Sequence, residues 1–303
     1  IWTLTSRILG FVRDILMAAF LGTGPLAEAF LIAFSLPNMF RRFFAEGALN
    51  MAFIPLFSKK LDVHTKDAHR FASETFVILG TGLLILTILA QICMPVLVFS
   101  MASGFYGDGR FDQAIDLGRI TFPYILFISL AALISGILNA SGKFKTAAAA
   151  PIVLNIVLIL SMISADFLKL EISLALAIAV PISGVLQLFL VYRSARKIGF
   201  ELRFRLPKLT PDIKKLMIIA FPAALAGGVV QINLLVGRQI ASGTEGAIAW
   251  LSYADRLYQL PLGVVGIAVG IVLLPDLSRR LISDDLVGAQ NAFNKSTEFA
   301  LNL

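Results

Sequence analysis

The sequence is poor in cysteine, histidine and charged residues. Its 303 residues include one cysteine, Cys93, which excludes a disulfide framework and a CxxC metal site. The two histidines, His64 and His69, lie in a polar stretch without an HExxH pattern, so no metal site is predicted. Charged residues make up 15% of the chain, against about 25% in a typical soluble domain, which excludes an ordinary soluble protein.

Apolar residues are in excess and occur in long runs. They make up 58% of the chain, and the mean hydropathy is +0.86. Because about 20 apolar residues span a bilayer, the sequence predicts an all-α polytopic membrane protein. Pro37 and Asn38 fall inside the second span and predict a kink or break there. The predicted spans are 2–22, 26–58, 72–103, 118–140, 147–165, 171–192, 216–241 and 247–277, with a ninth starting near 291.

Lysine and arginine are distributed unevenly between the predicted loops. Sixteen lie in the loops after spans two, four, six and eight, and three lie in the alternate loops. Because basic loops stay on the cytoplasmic side, these spans should end in the cytoplasm and the N-terminus should be cytoplasmic. The net charge of +7 belongs to membrane edges rather than to one soluble face, so nucleic acid is not a predicted partner.

The sequence resembles itself at a period near 220 residues. PLFSKKL at 55–61 closes span two, and PDLSRRL at 275–281 closes span eight. The alternative is a chance similarity between short segments. If the repeat is real, it is parallel, as in many transporters, because an even number of spans separates the two copies. We therefore predict two helix-bundle lobes around a central cavity. They comprise an N-terminal lobe at 1–195, a basic cytoplasmic linker at 196–212 and the start of a C-terminal lobe at 213–303.

The ends of the chain fall within apolar segments. It begins with Ile1 and ends in an apolar run at Leu303. We therefore expect a fragment cut inside a membrane segment at each end, with the second lobe truncated.

Arginines inside predicted spans are the main functional signal. Each costs at least ~2.5–3.5 kcal/mol at the membrane centre, so several of them indicate a water-filled cavity or anionic partners. An ion pair of Arg42 with Glu46 and snorkelling of Arg238 are structural alternatives for those arginines. The remaining positive charge favours an anionic substrate, because guanidinium suits bidentate binding of phosphate or carboxylate. The residues that carry this charge are Arg7, Arg13, Arg41 and Arg256.

Helical spacing groups several of these residues with other polar or small ones. Arg7, Gly10 and Asp14 recur on one face of the first span, and Ser6 is also small enough for close approach. In the second span Asn38 lies within one turn of Arg41, and in the eighth Asp255 is adjacent to Arg256.

Two long motifs resemble those of a known family. Residues 6–14, SRILGFVRD, and 36–48, LPNMFRRFFAEGA, are similar to the first-helix and second-helix motifs of the MurJ (MviN) lipid II flippases. The segments 122–126, 253–257 and 273–275 also match family patterns. The resemblance runs along the whole chain and implies membership of the multidrug/oligosaccharidyl-lipid/polysaccharide exporter superfamily. It implies fourteen transmembrane helices, of which this chain would supply eight and the start of the ninth.

The resemblance also implies roles for individual residues. Arg7, Arg13, Arg41 and Arg256 match essential cavity arginines, and Arg13, Asp14 and Arg256 match a gating triad. The further substrate-binding positions implied are Ser6, Gly10 and Asn38. The gating or ion-pair set comprises Asp14, Glu28, Arg42, Glu46 and Asp255. Glu28 stands where relatives often have aspartate. Some relatives bind sodium through an acid in helix seven, where span 216–241 of this chain offers Asn233 and no carboxylate.

The implied function is transport of lipid II, an undecaprenyl-diphosphate-linked disaccharide-pentapeptide, by alternating access across the bacterial inner membrane. Membrane lipids and cell-wall synthases are the other expected partners. No cofactor is expected, and coupling to the membrane potential or to an ion is left open. Another exporter of the superfamily and a non-transporting scaffold for cell-wall synthesis remain alternatives. An enzyme is not expected, because no nucleophile or acid–base constellation is visible.

Overall fold

The fold is helical wherever the structure is described. This computed structural model describes residues 2–42, 50–202, 207–257 and 285–301, together with residues 259, 277, 280 and 283. Within these ranges the regular secondary structure is helical, so the all-α prediction is confirmed. The chain divides into two compact units, Ile1–Trp250 and Leu251–Leu303.

The first unit carries most of the described helices. They are α1 (Trp2–Leu21), α2 (Pro25–Arg41), α3 (Asn50–Val63), α4 (Thr65–Met101), α5 (Gly109–Thr121), α6 (Tyr124–Ala140), α7 (Phe144–Phe167), α8 (Ile172–Lys197) and α9 (Pro211–Ala241). A 3-10 turn, Ser103–Phe105, lies between α4 and α5, and residues 247–257 are helical. In the second unit, α10 covers Leu286–Leu301.

Several helices have the length and composition of membrane spans. Among the described residues, the segments Thr65–Met101, Gly109–Ala140, Phe144–Phe167 and Ile172–Lys197 are long and apolar enough to cross a bilayer. On α4, Leu84, Ile88, Ile92 and Val96 follow one another at intervals of four residues and are all exposed. Such a face suits contact with lipid tails rather than with water.

The packing order places α7 at the centre of one helix layer. It packs against both α1 and α8, while α6 packs on α8 and α2 packs on α5. A separate apolar core joins α3, α4, α6, α8 and the start of α9, and includes Phe53, Phe57 and Phe71. The Phe53 ring stacks on the Phe57 and Phe71 rings at centroid distances of 5.4 and 5.5 Å. Such aromatic pairs contribute beyond their burial alone.

The sequence predicted a kink or break at Pro37, but helix α2 is not broken there. It continues through Pro37 and Asn38 to Arg41. Proline lacks the N–H that would bond the carbonyl of Ala33 one turn earlier. That carbonyl instead accepts a 2.9 Å hydrogen bond from the buried Thr121 hydroxyl of α5. The helix survives the proline because a neighbouring helix supplies the missing donor.

Candidate functional site

The first cluster of candidate residues lies on α1. Arg13 and Asp14 are buried, with 6% and 8% of their surfaces exposed. Nε and Nη2 of Arg13 both donate to Oδ1 of Asp14, at 2.9 and 2.7 Å. The structure thus brings together two members of the predicted gating triad as a charge-assisted pair.

A third side chain completes this cluster from α7. Nη1 of Arg13 donates to Oδ1 of Asn155 at 3.0 Å, and Nδ2 of Asn155 donates to the Ser6 carbonyl at 3.0 Å. A Cβ at Gly10 would lie 3.6 Å from Asn155 Nδ2, which is ordinary contact distance. Ser6 and Gly10, both predicted for close approach, therefore lie where α1 meets α7.

Arg7 differs from Arg13 in its surroundings. Its side chain is exposed within the first unit, whereas Arg13, about 1.7 turns further along α1, is buried. The two arginines predicted to share one role therefore lie in different environments. Arg7 is open to a ligand, and Arg13 is already held by protein groups.

The candidate residues of α2 form a second, smaller group. Nδ2 of Asn38 donates to the Phe34 carbonyl at 2.8 Å, and its Oδ1 accepts a longer bond, 3.4 Å, from Nε of Arg41. Arg41 is half-buried, and Arg42 is exposed. Glu46, the predicted partner of Arg42, lies outside the described residues.

Glu28 takes part in a polar cluster that the sequence did not reveal. Its Oε2 pairs with Nη1 of Arg110 at 2.8 Å, and its Oε1 accepts a 3.0 Å bond from the backbone N–H of Ile248. Glu28 is fully buried and Arg110 is 8% exposed. Arg110 also donates to Oδ2 of Asp108 at 2.9 and 2.7 Å, and its guanidinium lies 4.4 Å from the Phe105 ring centroid.

Next to this cluster the α4–α5 connection approaches the end of α9. The Gly104 N–H donates to the Ser242 hydroxyl at 2.9 Å, and the Ser103 N–H donates to Oε1 of Gln239 at 3.1 Å. A Cβ at Gly104 would collide with the Ser242 carbonyl group, so only glycine fits there. We call Glu28, Asp108, Arg110, Gly104, Ser242 and Ile248 together the clasp.

Asp108 is stabilised in its charged form by hydrogen bonds from Arg110. It accepts a bond from the Arg110 N–H at 2.8 Å and so caps the start of α5. Hydrogen bonds from the Arg110 side chain hold the pKa of Asp108 below its ordinary value, against the opposing effect of desolvation. The clasp therefore contains two carboxylates, Glu28 and Asp108, around one guanidinium.

The remaining predicted residues belong to the second unit. Asp255 and Arg256 are both exposed there. Nη1 of Arg256 donates to Oε1 of Gln259 at 3.3 Å. Their predicted roles stay predictions.

A cavity of about 350 Å³ lies away from the α1 cluster. Its lining mixes charges of both signs, which gives it no preference for an anion. The charged residues around it are Lys66, Asp67, Arg70, Glu74 and Glu201. In the part of the chain that the structure describes, no group of three or more His, Cys, Asp or Glu residues is placed to hold a metal ion.

Comparison with known proteins identifies the family. The sequence model of the family described as "Lipid II flippase MurJ" matches residues 17–303. The chain belongs to the lipid II flippase MurJ family. The predicted resemblance to this family is thereby confirmed, and the matched range includes the α2 motif at 36–48.

Individual MurJ relatives match nearly the whole chain. It is 50% identical to a "Probable lipid II flippase MurJ" of Rhizobium tropici, over 99% of this chain and 58% of the relative. It is 39% identical to a protein of the same description from Rickettsia prowazekii, over 99% of this chain and 59% of the relative. The chain therefore spans a little under three-fifths of the length of these curated relatives.

Solved structures agree with this assignment. The structure titled "Lipid II flippase MurJ, inward closed conformation" superposes with a TM-score of 0.80 at 28% identity, covering 97% of this chain and 61% of that one. An inward-facing multidrug resistance MATE transporter superposes with a TM-score of 0.76 at 15% identity, over 97% and 67%. The second likeness concerns the fold alone. The predicted exporter architecture is confirmed.

The residues of this MurJ-family chain that the sequence prediction missed include Asn155, Arg110 and Thr121. Asn155 is an amide inside an otherwise apolar run, which was a usable signal for a buried polar contact. Arg110 is one of the three basic residues in the alternate predicted loops, and the structure buries it against Glu28. No local pattern marks Thr121, because its partner lies on another helix.

Proposed function

We propose that this MurJ-family chain is part of a flippase that moves lipid II from the cytoplasmic to the periplasmic leaflet of the bacterial inner membrane. The observation that carries the proposal is the buried Arg13–Asp14 pair on α1, within the motif that resembles the first-helix motif of the family. An ionised pair retained in an apolar helix at this cost favours a functional role for its guanidinium. The diphosphate of lipid II is an anion that guanidinium recognises well.

In this proposal Arg7 and Arg41 receive the headgroup together with Arg13, and Arg256 is a further substrate-binding arginine. Arg7 is exposed and Arg41 is half-buried within the first unit. Ser6, Gly10 and Asn38 shape the site, and the polyprenyl tail stays in lipid. The chain binds and moves its substrate without a chemical step.

Alternating access requires the two sides of the cavity to close in turn. Loop charges orient the chain with its N-terminus in the cytoplasm, so the clasp lies at the periplasmic ends of α2, α4 and α9. We assign the clasp to the closed periplasmic side. Its buried ion pair must open before lipid II leaves. Gating by Asp14, Asp255 and Arg256 belongs to the same proposal.

The energy source in this proposal is the membrane potential. Each elementary charge that crosses the field contributes about 2.3 kcal/mol per 100 mV, which suits a site with excess arginine. No cofactor is needed for this step. Cell-wall synthases that use lipid II are the proposed protein partners.

The decisive experiment pairs growth rescue with direct binding. Full-length protein with Arg7→Ala plus Arg41→Ala is tested for rescue of cells depleted of their own flippase, and for lipid II binding by native mass spectrometry. Arg119→Ala is the control, because that side chain is 47% exposed on α5. Loss of rescue and of selective binding in the double variant alone supports the proposal. Retained rescue with normal binding would favour a scaffold.

A further inference from the structure

We propose that Asn155 of α7 is a positioning residue that fixes the guanidinium of Arg13 for the substrate's anionic group. The proposal rests on the proposed function, which it deepens by naming a residue outside the α1 and α2 motifs. It concerns how Arg13 is oriented before any ligand arrives.

The amide of Asn155 bonds two residues of α1. Its Oδ1 accepts from Nη1 of Arg13 and its Nδ2 donates to the Ser6 carbonyl, both at 3.0 Å. Asn155 is only 5% exposed, so water does not replace these partners easily. Both the oxygen and the nitrogen of the amide are thus bonded. The amide has one orientation, because Arg13 needs an acceptor and the Ser6 carbonyl needs a donor.

The two partners of Arg13 act on different edges of the guanidinium. Asp14 binds Nε and Nη2 from the same helix and compensates the charge. Asn155 binds Nη1 from a helix far away in sequence and adds no charge. The ion pair alone would leave the plane of the guanidinium tied only to α1. The amide ties it to α7 as well, and so couples the arginine to the packing of the lobe.

A neutral amide suits this position better than a carboxylate would. A second carboxylate beside Asp14 would make the cluster net negative and compete with an incoming phosphate oxygen. It would also lose the N–H group that donates to the Ser6 carbonyl.

Gly10 leaves room for this contact where α1 crosses α7. Gly10 faces Asn155 closely enough that a Cβ would already be in van der Waals contact with its Nδ2. A larger side chain at Gly10 would push α7 away and lengthen both bonds. The glycine and the amide therefore act together, one permitting the approach and the other using it.

The test measures the position of Arg13 directly and the affinity separately. Full-length protein is treated with phenylglyoxal, and the labelling rates of Arg13 and exposed Arg119 are followed by mass spectrometry. Lipid II affinity is measured by native mass spectrometry against phosphatidylglycerol as the competing anionic lipid. The variant is Asn155→Leu. The matched control is Gln187→Leu, which removes another buried amide, bonded to the Tyr124 hydroxyl on a different pair of helices.

We expect Asn155→Leu to speed labelling of Arg13 several-fold while Arg119 is unchanged, and to weaken lipid II binding about tenfold, the scale of one hydrogen bond to a charged group. Gln187→Leu should change neither quantity, even where it lowers the melting temperature. In an Arg13→Ala background, Asn155→Leu should weaken binding less than about twofold, because the residue acts through Arg13.

The possible failures are distinguishable. Unchanged labelling of Arg13 in Asn155→Leu, with lipid II binding intact, overturns the positioning proposal alone. An equal loss of affinity in the presence and absence of Arg13 overturns it as well. Absence of selective lipid II binding by the wild-type protein overturns the proposed function, and with it the role of Asn155 in substrate binding.

Discussion

Arg110 and Glu28 form a 2.8 Å ion pair in which the carboxylate is fully buried and the guanidinium is 8% exposed. Removing one partner of such a pair leaves an uncompensated buried charge. We expect Arg110→Met to lower the free energy of unfolding by roughly 3–5 kcal/mol. The measurement is the melting temperature of the purified protein in detergent.

The control for this prediction is a second arginine of α5. Arg119→Met removes an exposed pair with Asp116, 4.0 Å away, which should contribute less than about 1 kcal/mol. Equal melting temperatures for the two variants would show that the Arg110–Glu28 pair adds nothing beyond a surface contact. Glu28→Gln combined with Arg110→Met should be less damaging than Arg110→Met alone, because no buried carboxylate is then left unpaired.

The low pKa of Asp108 predicts a dependence on acid pH. Hydrogen bonds from Arg110 favour its charged form in the folded state. The resulting stability is therefore fully present above the unfolded-state pKa, about 3.9, and is lost as the pH falls through the lower folded-state pKa. Asp108→Asn keeps an acceptor for the helix cap but cannot titrate. The melting temperature of wild type should exceed that of Asp108→Asn near neutral pH, and the difference should shrink below about pH 4. A difference that does not vary with pH would contradict this assignment.

The sequence located the α1 cluster but not its full set of contacts. Arg13 and Asp14 are adjacent, so their pairing needs no knowledge of the fold. Asn155 contacts Arg13 across 142 positions, and that contact depends on how α1 packs against α7. Helical periodicity describes one helix at a time and cannot supply such a partner.

Arg110 shows a different limit of sequence reasoning. Counting lysine and arginine by loop orients the chain, but it treats every loop charge as solvated. Arg110 begins α5 and is buried because Glu28 and Asp108 compensate it. The resemblance to the family singled out Glu28 as a candidate residue. Its partner was not singled out, because 82 residues separate the two side chains.

The hydrogen bond from Thr121 to Ala33 predicts that the stability cost of removing the Thr121 hydroxyl depends on Pro37. Thr121→Val keeps the shape but leaves the Ala33 carbonyl without its side-chain donor, which should cost about 1–3 kcal/mol. Thr87→Val is the matched control, because that hydroxyl bonds the Leu83 carbonyl within its own helix. In a Pro37→Ala background the restored N–H can bond Ala33. Thr121→Val should then cost markedly less in melting temperature. The same cost in both backgrounds would mean that the hydroxyl does not replace the missing donor.

Gly104 gives the sharpest steric prediction for the clasp. A Cβ there would overlap the Ser242 carbonyl group, so Gly104→Ala must push the α4–α5 connection away from α9. The Gly104–Ser242 hydrogen bond would be lost, and overpacking of this kind costs typically about 1–3 kcal/mol. Gly109→Ala is the control, since a Cβ there meets nothing within 4 Å. We expect a cysteine placed at Ser103 to react faster with a membrane-impermeant thiol reagent in the Gly104→Ala background than in the Gly109→Ala background. Because Cys93 is exposed, both backgrounds carry Cys93→Ser. Equal reaction rates would show that the clasp tolerates a methyl group at its tightest point, and would remove the steric basis for a closed periplasmic side.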